Sequence, residues 1–147
     1  MEMLTMTQDV LDQIKNTIGG MAPEHGGILG ANEDGVITHF YFDATGRSTE
    51  ASYEPDVTAI NTILAARWIP QGIHLAGIVH SHAAGNAAPS CGDISYGMRI
   101  LQALDAERFY LPIVTVDESG VHFASFAVEN DALLGCVCRR TPWQCMP

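Results

Sequence analysis

Apolar residues near the N-terminus recur at helical spacing, and a pair of glycines ends the pattern. The spaced residues are Val10, Leu11, Ile14 and Ile18. Because positions three and four apart share one face of a helix, this pattern predicts an amphipathic helix over residues 7–18 that stops at Gly19-Gly20.

Two apolar segments separated by a polar turn come next. Residues 26–31 form a short apolar run, residues 32–35 have the composition of a turn, and residues 36–42 resume as a strand. This succession predicts a β-hairpin. Residues 43–54 are polar and contain Gly46, which indicates a loop or flap.

A second helix is predicted after Pro55, because proline is tolerated in the first turn, where its missing N–H would have no partner. One face of this helix is lined by Val57, Ile60, Ile63, Leu64 and Trp68. Residues 73–82 are then almost continuously apolar, which is typical of a central strand covered on both faces. After a loop of small residues, a third helix is predicted to start near Asp93, with an apolar face of Tyr96, Ile100, Leu101 and Leu104.

The last predicted elements are strands at residues 109–116 and 121–128, joined by a turn, whereas the tail from Asn130 has no clear pattern. The order helix, two strands, helix, strand, helix, two strands predicts an α/β domain with a mixed sheet and helices on both faces. The lack of repeats and linkers favours a single domain over residues 1–147.

Composition and charge narrow the classes of function. The chain has 147 residues, of which 47% are hydrophobic and 16% charged, as in folded globular domains. A formal net charge of −10 argues against nucleic-acid binding, because it repels phosphates. The sequence has neither an apolar stretch of about 20 residues nor a signal-peptide pattern, so no membrane association and a cytoplasmic location are predicted.

Three of the four cysteines lie in the tail, at Cys136, Cys138 and Cys145. Their spacing matches no familiar zinc pattern, although a second metal site there is an alternative. Cytosolic cysteines usually stay reduced, so free thiols are predicted.

Two histidines end the predicted central strand. His80 and His82 are two positions apart, so their side chains project from the same face, with Cα atoms roughly 6.6 Å apart at about 3.3 Å per residue. Both imidazoles can then reach one ion, while Ser81 faces the other way. A His-x-His pair alone is more commonly explained by hydrogen-bonded histidines of a strand.

Asp93 supplies a third candidate ligand at the start of the third helix. The intervening loop is rich in Ala, Gly and Pro, so the strand end and the helix start can meet at one point. Two histidines and one carboxylate leave a fourth position open for water, which marks catalytic rather than structural zinc. Such an ion lowers the pKa of its water to about 7.

The spacing of residues from His80 to Asp93 resembles the signature of a known family. His80-Ser81-His82, seven residues, Ser90, two residues and Asp93 resemble the motif of the JAMM (MPN-domain, or JAB) metalloproteases. That family also has an upstream glutamate followed three residues later by glycine, and residues 24–30 (Glu-His-Gly-Gly-Ile-Leu-Gly) look like this element. Both elements occur in the same order along this chain as in the family.

The resemblance implies a role for each matching residue. His80, His82 and Asp93 would bind one zinc ion; iron or cobalt are alternatives at such sites. Glu24 would act as general base on the bound water and pass its proton to the leaving amine. Ser90 would donate a hydrogen bond to the oxyanion. The implied fold is a three-layer α/β/α sandwich with a mixed sheet, cytidine-deaminase-like.

Each of these residues also has an ordinary structural explanation. Without the metal motif, Glu24 would be an exposed loop acid and Asp93 a carboxylate favoured by the helix dipole. Ser90 could cap the third helix, a role compatible with oxyanion binding. The chain departs from many family members at Ala83-Ala84, where proline commonly follows the second histidine, which affects the loop conformation rather than the ligands.

The resemblance also implies a substrate. Family members cut peptide or isopeptide bonds after the C-terminal tails of ubiquitin-like proteins, so a deubiquitinase-like activity on such a tail, or on a sulfur-carrier protein, is expected. An extended tail would bind beside the flap at residues 43–54, with Tyr53 as a contact. The compact chain resembles the small prokaryotic members.

The sequence leaves three alternatives to a metalloprotease function. The chain could be a non-catalytic MPN scaffold, although it retains the complete set of candidate residues. It could hydrolyse a small amino-acid conjugate, since fold and metal do not determine the substrate. A DNA-linked role is disfavoured by the acidic charge and by serine, rather than asparagine, between the two histidines.

Overall fold

A computed structural model describes residues 3–147. Within that range the α-helices are α1 (Gln8–Asn16), α2 (Val57–Ile63) and α3 (Cys91–Leu104). The strands are β1 (Leu4–Thr7), β2 (Gly26–Ala31), β3 (Ile37–Phe42), β4 (Arg47–Ser48), β5 (Tyr53–Glu54), β6 (His74–Ser81), β7 (Arg108–Tyr110), β8 (Ile113–Asp117), β9 (Gly120–Asp131), β10 (Gly135–Thr141) and β11 (Trp143–Met146). Short 3₁₀ turns follow at Ile18–Gly20 and Ile69–Gln71, and a π-helical turn continues α2 over Leu64–Trp68.

Nine of these strands form one mixed sheet, in the order β10-β9-β7-β6-β2-β3-β1-β11, with β8 pairing with both β6 and β9. Strand β1 is parallel to β3 and β11, and β6 is parallel to β7 and β8, whereas the remaining pairs are antiparallel. Strands β4 and β5 form a separate two-stranded hairpin. The predicted α/β class with a mixed sheet is therefore confirmed, and β6 is central, as its apolar run predicted.

Buried side chains gather in two clusters. One contains Val10, Leu11 and Ile14 of α1, and the other contains Ile60 of α2 and Leu101 of α3. Adjacent residues Ile28 and Leu29 of β2 belong to different clusters, because neighbouring strand residues face opposite sides of a sheet.

Helix starts follow local capping chemistry. Thr7 Oγ1 accepts a hydrogen bond from the Val10 N–H at 3.3 Å, and Asp56 Oδ1 accepts one from the Ala59 N–H at 3.1 Å. The predicted first helix is confirmed. On the predicted apolar face of the second helix, Ile60 and Trp68 are buried, whereas Val57, the first residue of α2 after the Asp56 cap, is 52% exposed.

The C-terminal third differs most from the sequence-based expectation. The strand predicted at residues 109–116 is divided into β7 and β8, with Pro112 between them, because proline has no N–H to donate to a sheet ladder. Strands β10 and β11 in this third were not predicted, and neither was β1 near the N-terminus.

No helix in residues 3–147 is both long enough and apolar enough to cross a membrane.

Candidate functional site

The two histidines at the end of β6 face each other. His80 Nε2 and His82 Nε2 lie 2.9 Å apart, and both residues are only 3% exposed. Ser81 is directed away from them: its hydroxyl accepts a hydrogen bond from the His25 N–H at 3.0 Å. The alternation expected of a strand therefore places both imidazoles on one side, as the sequence predicts.

Asp93 reaches the same point from the first turn of α3. Its Oδ2 atom lies 3.2 Å from His80 Nε2 and 3.2 Å from His82 Nε2. The same oxygen accepts a hydrogen bond from the Ser90 N–H at 2.8 Å, while Ser90 Oγ accepts one from the Asp93 N–H at 3.1 Å. This reciprocal capping box fixes the carboxylate relative to the helix start.

Glu24 approaches from the segment before β2. In the antiparallel β2–β6 pair, Gly26 lies opposite His80, and continuing that register brings Glu24 beside His82. The Glu24 carboxylate and the two imidazoles offer ligand atoms that all lie within 4.8 Å of one another. Glu24 is 8% exposed, and its N–H donates to the Thr49 carbonyl at 2.9 Å.

The two imidazoles are held in different ways. His82 Nδ1 lies 3.0 Å from the Asn86 carbonyl, which can only accept, so Nδ1 donates this hydrogen bond and Nε2 is the nitrogen that faces Asp93 and His80. The turn from Ala83 to Asn86, closed by the Asn86 N–H to the Ala83 carbonyl, places that acceptor. By contrast, the buried His80 Nδ1 has no hydrogen-bond partner among residues 3–147.

Burial and charge shift the pKa values within this cluster. Burial raises the pKa of Glu24 above its ordinary value, although the adjacent His82 and His80 oppose the shift. Burial alone would lower the pKa of His82, but the hydrogen bond with Asp93 and the charge of Glu24 outweigh it and leave the pKa raised. Burial likewise opposes ionisation of Asp93, but the hydrogen bonds with His80 and His82 hold its pKa far below the usual range.

The donor set fits a zinc ion. In a tetrahedral site with ligand distances of about 2.0–2.1 Å, neighbouring ligand atoms are about 3.3 Å apart. The three separations among His80 Nε2, His82 Nε2 and Asp93 Oδ2 are 2.9, 3.2 and 3.2 Å. Two imidazole nitrogens and a carboxylate oxygen are ligands that zinc prefers, so these residues could hold the ion.

Metal affinity is expected to depend on pH through His82. A histidine must be neutral to bind zinc, and the pKa of His82 is raised above its ordinary value of 6.5. As the pH is lowered, zinc affinity should therefore start to fall while the pH is still above 6.5, and it should drop about tenfold per pH unit below the His82 pKa, for one competing proton. Calorimetric titration of metal-free protein between about pH 8 and pH 6 measures this; a constant affinity across that range would contradict it.

A cavity of about 330 Å³ opens beside the four groups and includes Ser90 in its wall. The β4–β5 hairpin, within the predicted flap, contributes Ser52, Tyr53 and Glu54. Tyr53 was predicted as a substrate contact, and its ring also stacks on His80, with centroids 6.1 Å apart and planes at 29°. The sequence pattern missed this contact and the Asn86 carbonyl, since neither residue belongs to a recognisable motif.

The tail cysteines do not form a second site. Cys136 and Cys138, on β10, pack against the cluster that contains Ile60 and Leu101, whereas Cys145, on β11, packs against the cluster that contains Val10 and Leu11. All four cysteines of the chain are free thiols. The alternative of a metal site shared by the three tail cysteines is therefore wrong, because tertiary structure separates residues that are close in sequence.

Comparison with known proteins extends the description of the fold. Neither a protein-family model nor a curated protein matches this sequence. Among solved structures, the chain is similar to protein DSY2949 from Desulfitobacterium hafniense, with a TM-score of 0.73 and 17% sequence identity, over 98% of this chain and 93% of that one. At that level of identity the likeness shows a common fold and does not extend to activity.

Proposed function

We propose that this chain is a zinc-dependent peptidase or isopeptidase of the JAMM type, built on the three-layer cytidine-deaminase-like sandwich. The observation that carries the proposal is the meeting of Glu24 with His80, His82 and Asp93, which come from three separate segments. Structural histidine pairs need no buried glutamate, whereas a hydrolytic metal site needs a base next to its ligands.

The distances support Asp93 as the third ligand and Glu24 as the base. Asp93 Oδ2 is 3.2 Å from both imidazole nitrogens, and the Glu24 carboxylate has an oxygen within 4.8 Å of both imidazoles. Glu24 is therefore close enough to act on a water molecule bound beside those ligand atoms. When bound, zinc supplies Lewis acidity and makes a water molecule acidic enough to attack at neutral pH.

Glu24 moves the proton. Its carboxylate takes a proton as the water oxygen forms a bond to the scissile carbonyl carbon. As the C–N bond breaks, Glu24 returns that proton to the departing amine nitrogen. Burial raises the pKa of Glu24, which makes its carboxylate a stronger base toward the proton of the attacking water.

Ser90 is available to stabilise the developing oxyanion. Its Oγ atom already accepts the Asp93 N–H, so its own proton is free to be donated into the cavity that Ser90 lines. A donor directed at the site of charge development stabilises the transition state more than the ground state. The helix-cap role and the oxyanion role are therefore compatible.

The substrate we propose is the extended C-terminal tail of a ubiquitin-like or sulfur-carrier protein. The β4–β5 hairpin borders the cavity, and a hairpin edge offers main-chain groups to an extended peptide. Incubation with fusions carrying such tails is expected to yield cleavage after the tail that a chelator abolishes and added zinc restores. Absence of chelator-sensitive cleavage of every fusion would refute the proposed activity.

A small amino-acid conjugate is the second candidate substrate. The cavity volume of about 330 Å³ lies at the lower end of the range for small-molecule sites. Chelator-sensitive hydrolysis of N-acyl amino acids, without cleavage of the protein fusions, would favour this candidate.

A further inference from the structure

Tyr53 fills the space between β2 and the His80 imidazole. Its ring stacks on His80, with centroids 6.1 Å apart and planes at 29°. It also lies against Gly26, where an added Cβ would come within 2.4 Å of a ring carbon. The ring therefore occupies the volume that a side chain at position 26 would need, next to the imidazole of His80, which is the cross-strand partner of Gly26.

The far end of the Tyr53 ring is anchored. Its hydroxyl donates a hydrogen bond to Asp43 Oδ2 at 2.7 Å, and Asp43 is only 2% exposed. The same oxygen accepts the Asp56 N–H at 2.9 Å, and Thr45 donates its hydroxyl to Asp56 at 2.7 Å. These bonds tie β5 to the loop after β3 and to the start of α2, so the ring is held at both ends.

Within residues 3–147, the His80 ring lacks the hydrogen bond that usually orients a metal-binding histidine. Metal-binding histidines are usually oriented by a hydrogen bond from the other ring nitrogen, and His82 has one, to the Asn86 carbonyl. His80 Nδ1 is buried and has no partner within residues 3–147. The orientation of the His80 ring then depends on the groups that face its Nε2 atom and on the two neighbouring rings, His82 at a centroid distance of 4.7 Å and Tyr53 stacked at 6.1 Å.

We propose that Tyr53 is a positioning residue that holds the His80 imidazole in the orientation required for metal binding, in place of the missing hydrogen bond. Because Asp43 anchors Tyr53, the orientation of His80 is coupled to the conformation of the β4–β5 hairpin. This inference rests on the metal site of the proposed function, but not on the identity of its substrate.

The test is titration of the metal-free protein with Co²⁺, followed by the visible absorption of the bound ion, which reports both affinity and coordination geometry. Tyr53→Leu is expected to weaken Co²⁺ binding by roughly 10–100-fold, as loss of an outer partner of a ligand typically does, and to change the spectrum. Tyr53→Phe keeps the ring and should bind Co²⁺ with less than a roughly tenfold loss.

Two controls distinguish a specific effect of the Tyr53 ring on His80 from a general loss of structure around the cavity. Both Tyr53 variants lose the bond to Asp43, so only their difference reports the ring. Tyr96→Leu removes another tyrosine from the wall of the same cavity and should leave Co²⁺ affinity close to wild type.

Wild-type affinity in Tyr53→Leu, or equal losses in the leucine and phenylalanine variants, would overturn the inference. Wild-type protein that binds Co²⁺ but cleaves no substrate would refute the proposed activity and leave the positioning role intact. Wild-type protein that binds no Co²⁺ would refute both.

Discussion

Glu24→Gln is expected to retain zinc and lose about 10²–10⁴-fold in kcat, the usual contribution of a general base. Glutamine has nearly the same shape as glutamate, and the Glu24 N–H bond to Thr49 comes from the main chain, so the local fold should survive. The amide cannot accept the proton of the attacking water. Steady-state kinetics together with the zinc content of the purified variant measure both quantities.

The matched control is Glu33→Gln, which makes the same chemical change in the exposed β2–β3 turn and should leave kcat unchanged. Full activity in Glu24→Gln would show that another group takes the proton. Loss of zinc from Glu24→Gln would instead show that Glu24 is a ligand, and would contradict the assignment of Asp93 as the third ligand.

His82→Ala is expected to weaken zinc binding by more than the roughly 10–100-fold that loss of an outer partner costs, because it removes a ligand atom itself. His82 Nε2 is 2.9 Å from His80 Nε2 and 3.2 Å from Asp93 Oδ2, so its loss leaves two of the three proposed ligands. Competition between the metal-free protein and a chromophoric chelator gives the affinity, and hydrolysis should fall in parallel.

His122→Ala is the control for that experiment. His122 lies on β9, where it is bonded to Asp117 and Ser119 beside the exposed β8–β9 turn rather than to the cluster around His80. Its replacement should leave zinc affinity unchanged. Stoichiometric zinc binding by His82→Ala with wild-type affinity would exclude His82 as a ligand.

Four of the five candidate site residues could be identified from the sequence by their spacing. The two-residue step from His80 to His82 puts both on one side of a strand, and Ser90 and Asp93 are three apart, the spacing of a capping box. Glu24 could be linked to them only through the family resemblance. Its distance from the imidazoles depends on the β2–β6 register, which no local pattern specifies.

The contacts that support the site could not have been predicted in the same way. The Asn86 carbonyl is a main-chain group, and any residue type offers one. The stacking of Tyr53 on His80 joins a hairpin to a distant strand, and it depends on the absence of a side chain at Gly26. Such contacts are set by how elements pack, so they leave little trace in the spacing of residue types.

The secondary-structure elements show the same difference between local patterns and long-range contacts. Helix α1, the β2–β3 hairpin and the apolar strand β6 have strong local periodicity, and each was predicted near its observed bounds. Strands β1 and β11 pair with each other in parallel although they lie at opposite ends of the chain. Short strands of this kind are stabilised by their partner rather than by local preference, so their sequences carry weak signals.

The sequence by itself determined the α/β class, the central strand, and the identity and spacing of the candidate ligands, because periodicity and short motifs are local properties of a chain. Only the tertiary structure decided that Glu24 lies beside His82, that Tyr53 packs on His80, and that the tail cysteines pack against two different buried clusters. Each of those outcomes depends on strand register and order, which are set by burying the whole core at once.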